Sequence, residues 1–147
     1  MIEAAKAFLA LLQAPPADEK ARLAALCRTL DALVLAYHDV PDSHPADGDL
    51  EPPSTLGDDH FDLVANAFPD FGLYSVIAPT TDPDVSPTMA DAQDDLIDIA
   101  GDMAETLWRS ENLGFDDAAW YFRLMYRNHW GQHLHDLRRY LYARDQG

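Results

Sequence analysis

His129 and His133 stand four residues apart in a segment, Phe115 to Ala143, whose apolar positions recur at helical spacing. At about 100° per residue both imidazoles leave a helix on the same side. Asp136 follows a turn later, near the His129 side of that face. Two neutral imidazoles and a carboxylate are a ligand set for Zn, Mn or Fe. Upstream, Asp91, Asp95, Asp98, Asp102 and Glu105 are spaced 4, 3, 4, 3, which gathers five acids within an arc of about 80° on another helix. A metal site in a helical bundle draws ligands from more than one helix, so Asp95 and Asp98 are the natural further donors. The candidate metal ligands are therefore His129, His133, Asp136, Asp95 and Asp98. The plainer expectation is that the histidines are core or half-core hydrogen-bonding groups and the acids the solvated face of an amphipathic helix.

The surrounding residues rule out the common hydrolase signatures. The zincin motif needs Glu directly after the first histidine, and Trp130 stands there. The Glu-x-x-His element of carboxylate-bridged bundles is missing, since Tyr126 and Trp130 precede the two histidines by three. There is no G-x-S-x-G and no glycine-rich phosphate loop. Cys27 has no histidine near it in sequence and lies on the apolar side of a helical pattern, as a small buried hydrophobe would. His44, His60 and His135 are expected to be solvated.

The elements that would position these groups are mostly helical. The first helix spans about Ile2 to Gln13 and stops at Ala14-Pro15-Pro16. The second runs from an Asp18 cap to about Tyr37, with Leu23, Leu26, Cys27, Leu30, Leu33, Val34 and Tyr37 at i, i+3, i+4, i+7 spacing. Asp39 to Gly57 carries four prolines and five acids without any period, the mark of a long loop. Asp58 to Ala67 reads as a short third helix. Phe71 to Ala78 is aromatic and β-branched, an extended segment with no evident partner strand, so no sheet is expected. Residues 79–87 form a second loop. The fourth helix, about Thr88 to Glu111, buries Leu96, Ile99, Ala100, Met103, Leu107 and Trp108. A short link at Gly114 then leads into one continuous fifth helix, packed as an antiparallel hairpin on the fourth. The expected fold is all-α: one domain over residues 1–147, four or five helices in an antiparallel bundle, and one long acidic loop.

The chain has 147 residues and a formal charge of −16. That charge opposes binding to nucleic acid through phosphates and serves solubility. Residues 115–147 carry five Arg against four Asp, so the last segment is nearly neutral in an acidic protein, and its arginines can pair with acids inside the fold. The N-terminal segment lacks the basic start and long apolar run of a signal peptide, no stretch reaches the roughly 20 apolar residues of a membrane span, and a single cysteine excludes an intrachain disulfide. A cytoplasmic location without membrane contact is expected.

Two blocks carry a family resemblance. Asp95-Leu96-Ile97-Asp98-Ile99 continued by Asp102, and Tyr121-Phe122-Arg123 followed by His129-Trp130-Gly131-Gln132-His133-Leu134-His135-Asp136-Leu137, resemble the DUF5063 domain, a bacterial family of small helical proteins of unknown function. The resemblance implies an all-α domain and brings no activity, substrate or cofactor with it. Its matching polar positions include Asp95, Asp98, His129, His133 and Asp136. The function expected first is therefore a small helical interaction or regulatory module without catalytic activity and without a cofactor, bound to a protein partner or to itself. The alternative is a metal-binding bundle using the His/His/Asp set, with hydrolytic or redox chemistry.

Overall fold

The computed structural model describes residues 1–146. Among them are six helices and one two-stranded ribbon: α1 (Ile2–Gln13), α2 (Glu19–Asp39), α3 (His60–Ala67), β1 (Leu73–Val76), β2 (Thr88–Asp91), α4 (Ala92–Asn112), α5 (Phe115–Asn128) and α6 (Trp130–Gln146). The fold is mostly helical. None of these helices is long and apolar enough to cross a membrane.

Helix α4 is the hub, with α1, α3, α5 and α6 all packed on it. Its apolar stripe explains why: Leu96, Ile99, Ala100 and Met103 are fully buried. Around it gather Phe8 and Leu12 of α1, Leu26, Leu30 and Leu33 of α2, and Leu134 and Leu137 of α6, in one apolar cluster. Asp18 caps α2, its Oδ2 accepting from the Ala21 N–H at 2.8 Å, and Asp91 caps α4 through the Gln93 N–H at 2.9 Å. Each cap satisfies a helix-end donor that has no partner within the helix.

Four sequence expectations are corrected. First, there is a sheet. β1 pairs antiparallel with β2, Leu73 opposite Asp91 and Val76 opposite Thr88, so the residues expected to open α4 are strand, and α4 begins after them at Ala92. Second, the last segment is two helices. The chain breaks at His129 (φ −148°, ψ −90°), Trp130 turns inward and donates its Nε1–H to the Phe122 carbonyl at 3.1 Å, and α6 folds back on α5. Gly131 makes the turn feasible, because a Cβ there would lie 2.1 Å from the Tyr126 carbonyl oxygen. The reward is a wholly buried Trp130 packed 4.8 Å from the Phe122 ring centre; Phe115, expected on the buried stripe, is 49% exposed. Third, His60 is not solvated but 7% exposed, tucked under Gly57, whose positive φ of 84° and lack of a Cβ leave room for the imidazole. Fourth, the acids of α4 do not form one solvated face: Asp95 and Asp102 are buried.

Residues 40–59 have no helix or strand, yet the segment is tied down. Arg123 donates to the Val40 carbonyl at 2.9 Å and pairs with Asp42 at 2.9 Å. The Ala46 N–H donates to Asp117 Oδ2 at 2.8 Å, and Arg109 holds the other oxygen of that buried carboxylate at 2.9 Å. The last residues of the segment, Pro52 to Gly57, thereby lie against α4.

Candidate metal centre

Three turns of α4 present Asp95, Asp98 and Asp102 to the junction of α5 and α6. The break at His129 turns its imidazole toward Asp102, while His133, one turn into α6, faces Asp95. His129 Nδ1 lies 2.7 Å from Asp102 Oδ2, and His133 Nδ1 lies 2.8 Å from Asp95 Oδ1. Each aspartate then takes a tyrosine on its second oxygen. The Tyr121 hydroxyl of α5 donates to Asp102 Oδ1 at 3.0 Å, and the Tyr74 hydroxyl of β1 donates to Asp95 Oδ2 at 2.5 Å. The result is two parallel Tyr–Asp–His chains.

The ionised form of the aspartates sets where the protons lie. Each aspartate already accepts from a tyrosine, and an ionised carboxylate can only accept, so the histidine facing such a carboxylate carries its proton on Nδ1. Both phenols are driven far above their ordinary pKa, first by burial and then by the aspartate each one faces, and stay protonated donors. Burial pushes the Asp102 carboxyl up, with the hydrogen bonds from His129 and Tyr121 opposing. The His133 imidazole is raised above its usual value, chiefly by its hydrogen bond to Asp95 and against the effect of burial. No buried side-chain nitrogen or oxygen among the described residues lacks a partner.

With Nδ1 committed, the nitrogen left on each ring is Nε2. The rings stand 5.0 Å apart and nearly perpendicular, and His133 Nε2 faces Asp98 Oδ2 at 3.4 Å. One ligand atom from each of Asp98, His129 and His133 lies within 4.8 Å of the other two. In a tetrahedral zinc site neighbouring ligand atoms stand about 3.3 Å apart, given metal–nitrogen distances of about 2.0–2.1 Å, so closing this set takes only side-chain adjustment. His129 and Asp98 remain 37% and 40% exposed at their side chains, which leaves the cluster open to solvent on one side.

The structure thus brings together His129, His133 and Asp98. Asp95 lies behind His133 as its hydrogen-bond acceptor. Asp136 is elsewhere, in a groove with Tyr74, Arg139 and Tyr140. Its assignment to the His129 side assumed one helix through both residues, and the break at His129 removes that shared phase. Sequence reasoning did not assign Asp102 to the histidines, nor Tyr74 and Tyr121 to any role; Asp102 stands on the same α4 face as the acids it did single out. His135 points away and meets the Tyr126 hydroxyl at 2.8 Å.

A family model described as "Domain of unknown function (DUF5063)" matches residues 1–145. The chain belongs to the DUF5063 family. The match spans both Tyr–Asp–His chains and every helix except the last residue of α6. No curated protein and no solved structure matches the chain, so neither adds a function to this family assignment.

Proposed function

We propose that this DUF5063 protein is a divalent-metal-binding domain, with His129, His133 and Asp98 as ligands and Asp102 and Asp95 holding the imidazoles. One observation carries the reading. Each histidine faces, through Nδ1, a buried aspartate that is itself fixed by a tyrosine; with Nδ1 donating, both Nε2 atoms are left as acceptors, that of His133 3.4 Å from a third carboxylate, Asp98. Metal-ligating histidines almost always donate their other ring N–H in this manner, which sets tautomer and orientation. Two imidazoles and one carboxylate serve both catalytic zinc and mononuclear iron(II). When bound, such an ion supplies a Lewis acid and an activated water. Asp136 has no part in this set.

Metal content of protein purified without an affinity tag, measured by inductively coupled plasma mass spectrometry, tests the reading. Near-stoichiometric zinc or iron is expected in the wild type and its loss in His129→Ala/His133→Ala. Neither protein retaining metal after soaking with Zn, Mn or Fe would overturn it.

A second reading, a self-associating or partner-binding module, draws on the outer face of the β1–β2 ribbon. Leu73, Met89 and nearby Ile77 are 69%, 61% and 50% exposed there, an apolar face of the kind that marks interaction sites. Light scattering on the wild type and on Leu73→Ser/Met89→Ser checks it: a monomer in both proteins argues against self-association.

A further inference from the structure

A cleft of roughly 470 Å³ opens beside His129, between α4 and the docked Pro52–Gly57 segment. That size falls within the usual range of small-molecule sites. Asp98, Asp102 and His129 form its polar end, and Pro52, Leu56 and Ile97 are among its apolar walls. Resting on the metal reading above, we propose that this cleft is the substrate pocket of the site, and that it takes a small uncharged or amine-bearing molecule rather than a phosphate or carboxylate.

Two independent features support this. The first is Gly101, which lines the cleft near the middle of the 21-residue α4. Glycine inside a helix costs about 1 kcal/mol relative to alanine, and it is normally explained by tight packing. Here a Cβ would have nothing within 4 Å, so no protein contact requires the missing side chain. What the glycine does is keep the helix backbone bare, one position before Asp102 and three after Asp98, where a ligand can lie flat against it.

The second feature is charge. No lysine or arginine lines the cleft, whereas Asp98, Asp102 and Glu105 do. The Glu105 charge is offset by Arg109 at 2.8 Å; those of Asp98 and Asp102 have no basic side chain beside them among the described ion pairs, only histidine. His60, at the wall, is held below its ordinary pKa by burial and adds no positive charge. A divalent ion would be balanced by Asp98 and Asp102 and outweighed once Asp95 is included. Sites for phosphate and carboxylate groups draw on arginine and lysine side chains as well as helix N-termini; α4 begins nine residues before Gly101, at Ala92, and the helices that do begin at the cleft, α3 at His60 and α6 just after His129, bring an imidazole there but no lysine or arginine. An incoming anion therefore meets carboxylates and no arginine or lysine side chain.

Cobalt(II)-loaded protein provides the test, because its visible absorption reports both the site and any exogenous ligand. At about pH 8, where imidazole is largely neutral, imidazole and inorganic phosphate are titrated at equal ionic strength. The expected result is saturable perturbation of the cobalt bands by imidazole and at least about tenfold weaker binding of phosphate. In Gly101→Leu the cobalt spectrum should persist while imidazole binding weakens at least about tenfold, with Gly101→Ala between the two and both variants melting no lower than wild type, since Ala and Leu favour the helix. Phosphate binding as tightly as imidazole, imidazole leaving the cobalt spectrum unchanged, or full imidazole affinity in Gly101→Leu would each overturn the pocket alone. Failure of the wild type to give a cobalt spectrum would overturn the metal reading, and the pocket with it.

Discussion

The two Tyr–Asp–His chains are built alike and supported differently. Tyr121–Asp102–His129 is assembled from α4, α5 and the residue that ends α5, with Tyr121 only 8% exposed and its ring 4.6 Å beneath the Arg109 guanidinium. Tyr74–Asp95–His133 borrows its tyrosine from a four-residue strand, stacked 4.7 Å from Tyr140, and its histidine also faces Asp98. The two aspartates are equally buried, but the tyrosine of the first chain is part of the core, and loss of its partner leaves a buried hydroxyl with nothing to bond. The tyrosine of the second is half-buried at the rim, where water can replace a lost partner. The same chemical unit therefore carries unequal structural weight at its two positions.

The harshest way to break the comparison removes both chains together. Gly131→Ala places a methyl group against the Tyr126 carbonyl oxygen, a backbone atom that cannot swing aside. The α5–α6 turn must open, and His129 leaves Asp102. A loss of about 3 kcal/mol or more in urea unfolding is expected, with metal binding abolished.

Separate truncations then sharpen the contrast. Asp102→Ala strands the Tyr121 hydroxyl in a buried setting and should cost about 3 kcal/mol, whereas Asp95→Ala should cost about 2 kcal/mol because the half-buried Tyr74 hydroxyl reaches solvent more readily. Each should weaken metal affinity by about 10- to 100-fold, read by competition against a chromophoric chelator. Equal stability losses would erase the distinction between core and rim.

The smallest effect is a pH dependence of the second chain. His133 has a raised pKa in the folded state, so in metal-free protein its protonated form stabilises the fold. That contribution is complete below the unfolded value of about 6.5 and fades as pH climbs through the raised folded value. Compared with His133→Gln in the presence of a chelator, the wild type should hold its largest stability advantage in mildly acidic buffer and lose it towards alkaline pH. An advantage that grows with pH would reverse the sign and contradict the Asp95 contact.

Much of this was legible in the residues. The period of the apolar positions marks α1, α2 and most of α4, because each buries one continuous stripe. The pairing of His129 with His133, and the choice of Asp98 from α4, also follow from spacing. What spacing does not reveal is which face of α4 is covered. Asp95 and Asp102 look like solvent-facing acids until Tyr74 and Tyr121 arrive from distant elements to cover them. The extended segment around β1 is legible, but β2 and its pairing escape notice because each strand has four residues and 11 residues separate them, too little sequence for alternation to register. The α5–α6 break is hidden by an apolar pattern that runs through it, and one glycine inside a helical pattern does not announce a turn.

The break at His129 also bears on which length changes this chain can accept. One residue added to or removed from the middle of α5 would swing His129 about 100° around the helix axis and away from Asp102, while α6 re-forms behind Trp130 and keeps His133 at its own fixed distance from the turn. Insertions or deletions within α5 are thus barred by the first imidazole. The end of α6 beyond Leu141, the last buried apolar residue of that helix, can be lengthened or trimmed without altering the spacing of either ring from the turn.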